Sequence, residues 1–354
     1  MGLKGFMKKR FVKAVAVVGV AILLAPVGLT HAFAAGCYGE KATVNWIVPY
    51  SPGGGFDTYS RLIEPFYEKH AGAEVVVRNV TGAGGINGSR ELFRSKPDGH
   101  TLGILFGSGV IVANLIGKIE QTLSDFTLLG RIAPEEPVWA LGKDSAYKDI
   151  WHILKSDKDI VGVTTGAGSA SFFDNVVSAE LIGVYKRYKA VTGFKGSRQA
   201  TMAVIRNEAD MGDYNYSSIR DRIDSGDLRP VMSVTPERVG QDNPKMKGVP
   251  TIFEVLKKTG RENRIEDAKS LTSVDKVARV IAAPPGIEPK LLKCMEDKLF
   301  AAMNDDGFKA AAKKAKRPID PANAEELREP LKLAVEGGKK FAPLYKKAVA
   351  KIGG

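Results

Sequence analysis

Histidine and cysteine are scarce: the 354 residues contain four of the first and two of the second. Past residue 36, His70, His100 and His152 are not spaced as a local ligand pair and no Cys-x-x-Cys occurs. No metal centre is therefore expected. A phosphate-cradling Gly-x-x-x-x-Gly-Lys loop is missing too. The segments Gly82-Ala-Gly-Gly-Ile-Asn87 and Gly166-Ala-Gly-Ser-Ala-Ser171 both lack the third glycine of the dinucleotide fingerprint, so no cofactor is expected. There is no Gly-x-Ser-x-Gly elbow, and nothing beside Ser108 or Ser169 supplies a base evident from sequence. These absences together argue against an enzyme. Internal repeats, low-complexity tracts and long linkers are likewise lacking.

Only one long apolar run exists, from Ala14 to Leu29, and at 16 residues it is short for a membrane span of roughly 20. Lys4, Lys8, Lys9, Arg10 and Lys13 precede it and Ala32-Phe33-Ala34 follows, which is the pattern of a secretory leader over residues 1–36. A second reading takes Ala34-Ala35-Gly36-Cys37 as a lipoprotein processing site with Cys37 acylated. In an oxidising compartment Cys37 and Cys294 could instead pair; the alternative is an unpaired, buried Cys294. Setting the five basic leader residues aside lowers the formal charge from +12 to +7. The excess is spread along the chain. Its densest run, Lys309 to Arg317, reads as a solvated helix face, so no nucleic-acid partner is expected.

What is present is an alternation of β-rich and helical patterns. Ten strand-like runs extend from Val44–Val48 to Val277–Ala282, with helical stretches between them such as Asp57–Lys69, Ser169–Val184, Ser197–Asn207 and Pro250–Thr259. Beyond Pro289 the chain reads as helical, with Leu292, Met295, Leu299 and Met303 at three-to-four spacing. This is an α/β plan. The pattern breaks at Gly130–Pro137 and again at Ser233–Arg238, read as crossings between two lobes. The resulting division is 37–132 for the first part of lobe 1, 133–235 for lobe 2, and 236–354 for the rest of lobe 1 with the C-terminal helices.

The most telling stretch is Val48-Pro-Tyr-Ser-Pro-Gly-Gly-Gly-Phe-Asp57, where an apolar strand runs through three glycines into an Asp-led helix. Bare backbone at a helix start is a place to hold an anion. It is also an ordinary strand-to-helix turn in which Asp57 caps the helix. Further segments share its grammar: Asn79-Val-Thr-Gly-Ala-Gly-Gly85, Pro97-Asp-Gly-His-Thr-Leu102, Thr164-Thr-Gly-Ala-Gly-Ser-Ala-Ser171 and Asp210-Met-Gly-Asp213. In order and spacing these resemble the Bug receptors, the solute-binding proteins of tripartite tricarboxylate transporters. Looser matches are Phe194-Lys-Gly196, Pro250-Thr-Ile-Phe-Glu254 and Ala283-Pro-Pro-Gly286. Departures are Gly55-Phe56, Gly193 in place of a proline, Asn207 in place of a glycine, and extra charged sequence around Arg261 to Lys269.

The resemblance implies a two-lobed, type II periplasmic binding protein fold with a ligand cleft between the lobes. It further implies a monomeric periplasmic protein that captures a small organic carboxylate, a di- or tricarboxylate or an aromatic acid, for a membrane permease. Carried over, Tyr50, Ser51, Gly53, Gly54, Phe56 and Asp57 would form the first-lobe loop, with Ser108 and Gly109 after the third strand. Thr165, Gly168, Ser169 and Ala170 would meet the ligand from lobe 2, and Asp213 would line the cleft or simply end its strand. Phe56, Phe172 and Phe173 read as an apolar wall or as core. Gly82 to Gly85 reads as a turn or lobe-packing hairpin, and Arg61 and Arg78 as surface ion pairs. Two other functions fit the sequence: a ligand-binding protein feeding a signalling partner, and a secreted hydrolase using Asp57 or Asp213 as base.

Overall fold

The computed structural model describes residues 37–39 and 41–352, so the expected leader lies outside the described residues. Two sheets organise the chain. The first half of lobe 1 runs β1 (Thr43–Val48), α1 (Gly55–Ala71), β2 (Glu74–Asn79), α2 (Ile86–Arg94), β3 (Thr101–Leu105), α3 (Gly107–Leu115) and β4 (Thr127–Arg131). Lobe 2 follows with β5 (Pro137–Gly142), α4 (Ile150–Lys155), β6 (Ile160–Val163), α5 (Ala170–Ile182), β7 (Tyr188–Val191), α6 (Ser197–Ile205), β8 (Met211–Asn215), α7 (Tyr216–Ser225) and β9 (Leu228–Ser233). The remainder is α8 (Ile252–Lys258), α9 (Ile265–Val274), β10 (Val280–Ala283), α10 (Pro289–Asn304), α11 (Asp306–Lys314), β11 (Ala322–Asn323) and α12 (Arg328–Ile352).

Strand order is β11-β4-β10-β3-β1-β2 in lobe 1 and β7-β6-β8-β5-β9 in lobe 2. β1, β2 and β3 are parallel, whereas β10 enters antiparallel between β3 and β4; in lobe 2, β6 is parallel to β7 and β8 and β5 is antiparallel to β8. Both sheets are covered on both faces, which is why their strands read as near-continuous apolar runs. Along β1, Val44, Trp46 and Val48 face one core and Ile47 the other. Along β5, Val138 and Ala140 oppose Trp139 and Leu141 in the same way.

The first crossing lies between Arg131 and Pro137. The return does not lie at Ser233–Arg238. The stretch assigned to lobe 1 from residue 236 stays with lobe 2 through α8 and α9, because Ile252, Val255, Leu256, Ala268, Leu271 and Val274 are buried in the lobe-2 core with Phe172 and Phe173. The chain crosses back at residues 275–279, beside the first crossing: Ile132 donates to the Arg279 carbonyl and Glu135 to the Asp275 carbonyl, both at 3.1 Å. The charged stretch around Arg261 to Lys269 is the start of α9, with Arg264 on Asp267 at 2.6 Å. Helix α12 spans both lobes: Leu327, just before it, and its Ala334 sit in the lobe-1 core, Phe341 and Tyr345 in that of lobe 2.

Cys37 and Cys294 are joined by a disulfide that ties the N-terminal segment to α10. With its Sγ in that bond, Cys37 has no sulfur for a thioether-linked lipid. Among the described residues no helix is long and apolar enough to cross a membrane. Replacing Cys37 and Cys294 together by Ser should lower the unfolding free energy by about 2–4 kcal/mol, since the bond closes a loop of 257 residues in the unfolded chain. Guanidinium melts of the two proteins measure this, and coincident midpoints would show that the bond contributes nothing.

Candidate functional site

The sheets meet at a cleft where the carboxyl ends of β1, β3, β6 and β8 face one another, the usual place for ligands in open α/β sheets. Its volume is about 80 Å³. At ~10–15 Å³ per water this is room for a molecule the size of several waters. Tyr50, Ser51, Gly54, Gly55, Phe56 and Phe106 form the lobe-1 wall; Thr164, Thr165, Ser171, Asp174, Gly196, Ser197 and Asp213 are among those forming the lobe-2 wall; Glu135 and Arg279 enter from the two crossings.

Helix starts supply the positive potential. The N-caps of α1 and α6 are Gly54 and Gly196, and neither start receives a side-chain cap. Their first N–H groups and dipoles therefore open on the cleft. Asp57 sits one turn into α1 and is 3% exposed. It accepts from Gly53 N–H at 2.9 Å, from Asn79 Nδ2 at 2.9 Å and from Arg61 Nε at 3.1 Å. Desolvation pushes its carboxyl upward, but those hydrogen bonds outweigh it and hold the group below the usual carboxylate range. Asp57 thus braces the opening loop from behind.

Of the residues singled out in the sequence, Tyr50, Ser51, Gly54, Phe56, Thr165 and Asp213 line this cleft. Gly53 stands just behind the loop on Asp57. Ser108 is fully buried in the first turn of α3, and Gly109 lines a smaller neighbouring cavity with Tyr50, Gly84 and Phe106. Ser169 is the N-cap of α5: its Oγ accepts from Phe172 N–H at 3.2 Å and donates to the Gly166 carbonyl at 2.7 Å. Ala170 is buried in the core, and Gly168 packs on Ile86. These residues shape the contact between lobes: a Cβ on Gly84, whose φ is +68°, would lie 3.2 Å from Ser169 Cβ. In lobe 2 the start of α6 faces the cleft through Gly196 and Ser197, and the first turns of α5 reach it through Ser171 and Asp174.

The apolar wall is Tyr50, Phe56 and Phe106, with Phe56 centred 4.9 Å from Tyr50 and 5.1 Å from Phe106. Phe172 and Phe173 are core residues packed on Tyr345. Arg61 pairs with Asp57 and Arg78 with Glu91.

Of the charged residues at the cleft, sequence reasoning names Asp213 and misses Glu135, Asp174 and Arg279. Arg279, 1% exposed, pairs with Glu135 at 2.6 Å, donates to the Pro134 carbonyl at 2.9 Å, and stacks over Phe56 and Tyr59. Its φ of +43° is a left-handed conformation costly for a side chain of this size. Asn215 Nδ2 also donates to Glu135. Asp174 and Asp213 are 2% and 6% exposed; neither oxygen of Asp213 and not Oδ1 of Asp174 has a hydrogen-bond partner. Burial, and then the charge of Glu135, push the Asp213 carboxyl up to about 8. Asp174 is displaced in the same direction by burial and by Asp275, Asp213 and Glu135. One signal was legible: an arginine inside the apolar run Val277–Ala283 has to find a buried partner. The Phe194-Lys-Gly196 turn also repeats the glycine-before-helix grammar of the opening loop.

The sequence profile described as the tripartite tricarboxylate transporter family receptor matches residues 60–348. The chain belongs to this family. The chain is 27% identical over 225 residues to a UPF0065 protein of the tcbD-tcbE intergenic region in a Pseudomonas species, a stretch covering 62% of this chain and 65% of that protein, just under two thirds of its length. It is 24% identical to BugT of Bordetella pertussis over 67% of this chain and 72% of that one. Among solved structures, periplasmic binding protein BugD superposes with a TM-score of 0.71 at 23% identity, covering 88% of this chain and 98% of BugD. MatC of Rhodopseudomonas palustris, solved with malate, gives 0.67 at 20% identity over 87% and 99%; a second R. palustris protein, solved with adipate, gives 0.70 at 17% over 86% and 97%. These likenesses establish the chain's fold as the two-lobed, type II periplasmic binding protein architecture.

Two outcomes follow from the buried charges of this chain. Arg279→Met should cost about 3–5 kcal/mol by leaving Glu135 buried and unpaired, and adding Glu135→Gln should restore most of it; urea melts of both variants measure the difference. Asp213 is held protonated by the fold, so its contribution to stability is full below an unfolded value near 3.9 and is lost as pH rises through about 8. The ligand-free protein should therefore lose thermal stability relative to Asp213→Asn between pH 4 and pH 8, and parallel curves would contradict this.

Proposed function

We propose that this chain is an extracytoplasmic receptor that captures a small organic carboxylate and delivers it to the membrane permease of a tripartite tricarboxylate transporter. The observation that carries this reading is the pair of helix starts, α1 at Gly54 and α6 at Gly196, that open without side-chain caps on one interlobe cleft in a member of this receptor family. A carboxylate there is held by main-chain N–H groups together with the hydroxyls of Ser51, Thr165 and Ser197. Each hydrogen bond to a charged group contributes about 1.5–3 kcal/mol, so three or four reach the ~8 kcal/mol of a micromolar complex before entropic costs. No arginine clamp is needed, and Arg279 is already engaged by Glu135. The ligand lies between lobes joined by paired crossings, so occupancy is legible to a permease as the shape of the closed receptor. Malate and adipate, the solutes of the two R. palustris proteins, are acids of the class proposed here.

A thermal-shift panel of small organic acids tests the reading, because a solute that binds only the folded form raises the melting temperature. Ser197 is half-buried at the α6 start. Ser197→Leu should weaken the acid found in that panel at least tenfold while shifting the melting temperature of the empty protein by less than about 2 °C, in keeping with a partly exposed site. Undiminished affinity in this variant would remove the α6 start from the site.

A further inference from the structure

We propose that the solute carries a protonated amine beside its carboxylate, with the ammonium held by Asp213 and Asp174 and the carboxylate at the starts of α1 and α6. This deepens the receptor reading and rests on it. Four ionisable side chains other than tyrosine form the cleft wall: Glu135, Asp174, Asp213 and Arg279. Glu135 and Arg279 neutralise each other at 2.6 Å, and the guanidinium is further occupied by the Pro134 carbonyl and by the rings of Phe56 and Tyr59. That leaves two carboxyl groups, each more than nine-tenths buried, with three oxygens between them lacking any hydrogen-bond partner.

Such groups are costly to bury unless a donor or an opposite charge meets them. A di- or tricarboxylate brings no opposite charge, at most the single O–H donor of a hydroxy acid, and adds like charge. An ammonium brings three N–H donors and one positive charge. A bare divalent ion is a poor occupant, because among the described residues no three His, Cys, Asp or Glu side chains converge as a metal site. The solute's remaining atoms lie along the Tyr50, Phe56 and Phe106 wall. The two acidic side chains favour a solute that carries an ammonium over one that carries carboxylates alone.

A rival arrangement uses the same groups: a protonated Asp213 donating to a carboxylate of the ligand. The two differ in proton balance. In ours, Asp213 gives its proton to solvent as the ammonium arrives, so affinity rises toward pH 8; in the rival the proton is retained and affinity falls. The groups facing Asp213 are Glu135 on the first crossing, Asp275 and Arg279 on the second, Asp174 on α5, Tyr188 on β7 and Tyr214 on β8. The tyrosines are pushed above their ordinary range by burial and stay neutral throughout.

The experiment is calorimetric titration of the leaderless protein with three matched pairs: L-alanine and L-lactate, L-aspartate and L-malate, L-phenylalanine and L-phenyllactate. Each pair exchanges an ammonium for a hydroxyl. We expect the amino member of at least one pair to bind tenfold or more tighter than its hydroxy partner, with affinity rising from pH 6 to pH 8. Asp213→Asn should shrink that preference below threefold; Asp174→Asn is the second variant should the first not fold, judged by circular dichroism. Hydroxy acids binding as tightly as amino acids, or amino-acid affinity falling toward pH 8, would overturn the inference and leave the receptor reading intact. If no organic acid of either kind binds, both fail.

Discussion

The bond between Glu135 and Arg279 holds the molecule's two halves in register. Each residue sits on one of the adjacent connecting segments that carry the chain between lobes, and each side chain is nearly inaccessible to water. A buried ion pair is weak evidence for stability, since desolvation offsets most of the Coulombic gain. Its consequence here is geometric. Arg279 reaches Pro134 on the opposite crossing, Glu135 takes Asn215 from the end of β8, and the crossings exchange backbone hydrogen bonds at Ile132 and Glu135. Both sheets are thereby referred to one point. The left-handed backbone at Arg279 is the local strain that this arrangement retains.

The architecture was largely written in the apolar pattern. Buried strands such as Ile160–Val163 and Tyr188–Val191 are short, two-faced and bounded by turn residues, and their limits in the structure coincide with those read from sequence. Helices α2, α3, α4, α7 and α9 are not among the helical stretches named from the sequence, and for several the reason is physical. α2 and α3 are nine-residue helices whose starts carry Gly85 and Gly107 rather than a capping side chain, and α3 is apolar all round, so no amphipathic stripe marks it. α9 begins among charges that look like a surface insertion and buries Ala268, Leu271, Thr272 and Val274 on its far side. The return crossing was misplaced for the same cause: proline and charge at Ser233–Arg238 mark a loop, but only packing tells which lobe the following helices join.

The cleft was half legible. Glycine before a helix is a local pattern, so the opening loop could be found in one segment of sequence. Glu135, Asp174, Asp213 and Arg279 lie far apart in sequence and no spacing rule connects them. What the sequence did offer was a set of departures from the family pattern, and several fall on this site. Phe56 lies beneath the Arg279 guanidinium and Gly55 against Ser218. Gly193 has φ of +102°, which a proline cannot adopt, so the loop that delivers Gly196 and Ser197 takes its own path. Asn207, where a glycine is usual, sits at φ of +60° just past α6, a conformation asparagine tolerates better than most residues.

Backbone rather than side chain fixes how closely the lobes approach. A Cβ at Gly55 would fall 2.4 Å from Ser218 Oγ, one at Gly196 2.7 Å from Ser51 Oγ, and one at Gly84 3.2 Å from Ser169 Cβ. Side chains at such contacts would hold the halves apart and let the gap vary with rotamer. Bare glycine main chain against short serine side chains leaves little to give, so the closest approach of the lobes is set by the fold. Selection among solutes then passes to what remains adjustable at that limiting approach: the number and sign of charges. Two helix starts face two unpartnered carboxyl groups there, and a solute with a single sign of charge satisfies only one side.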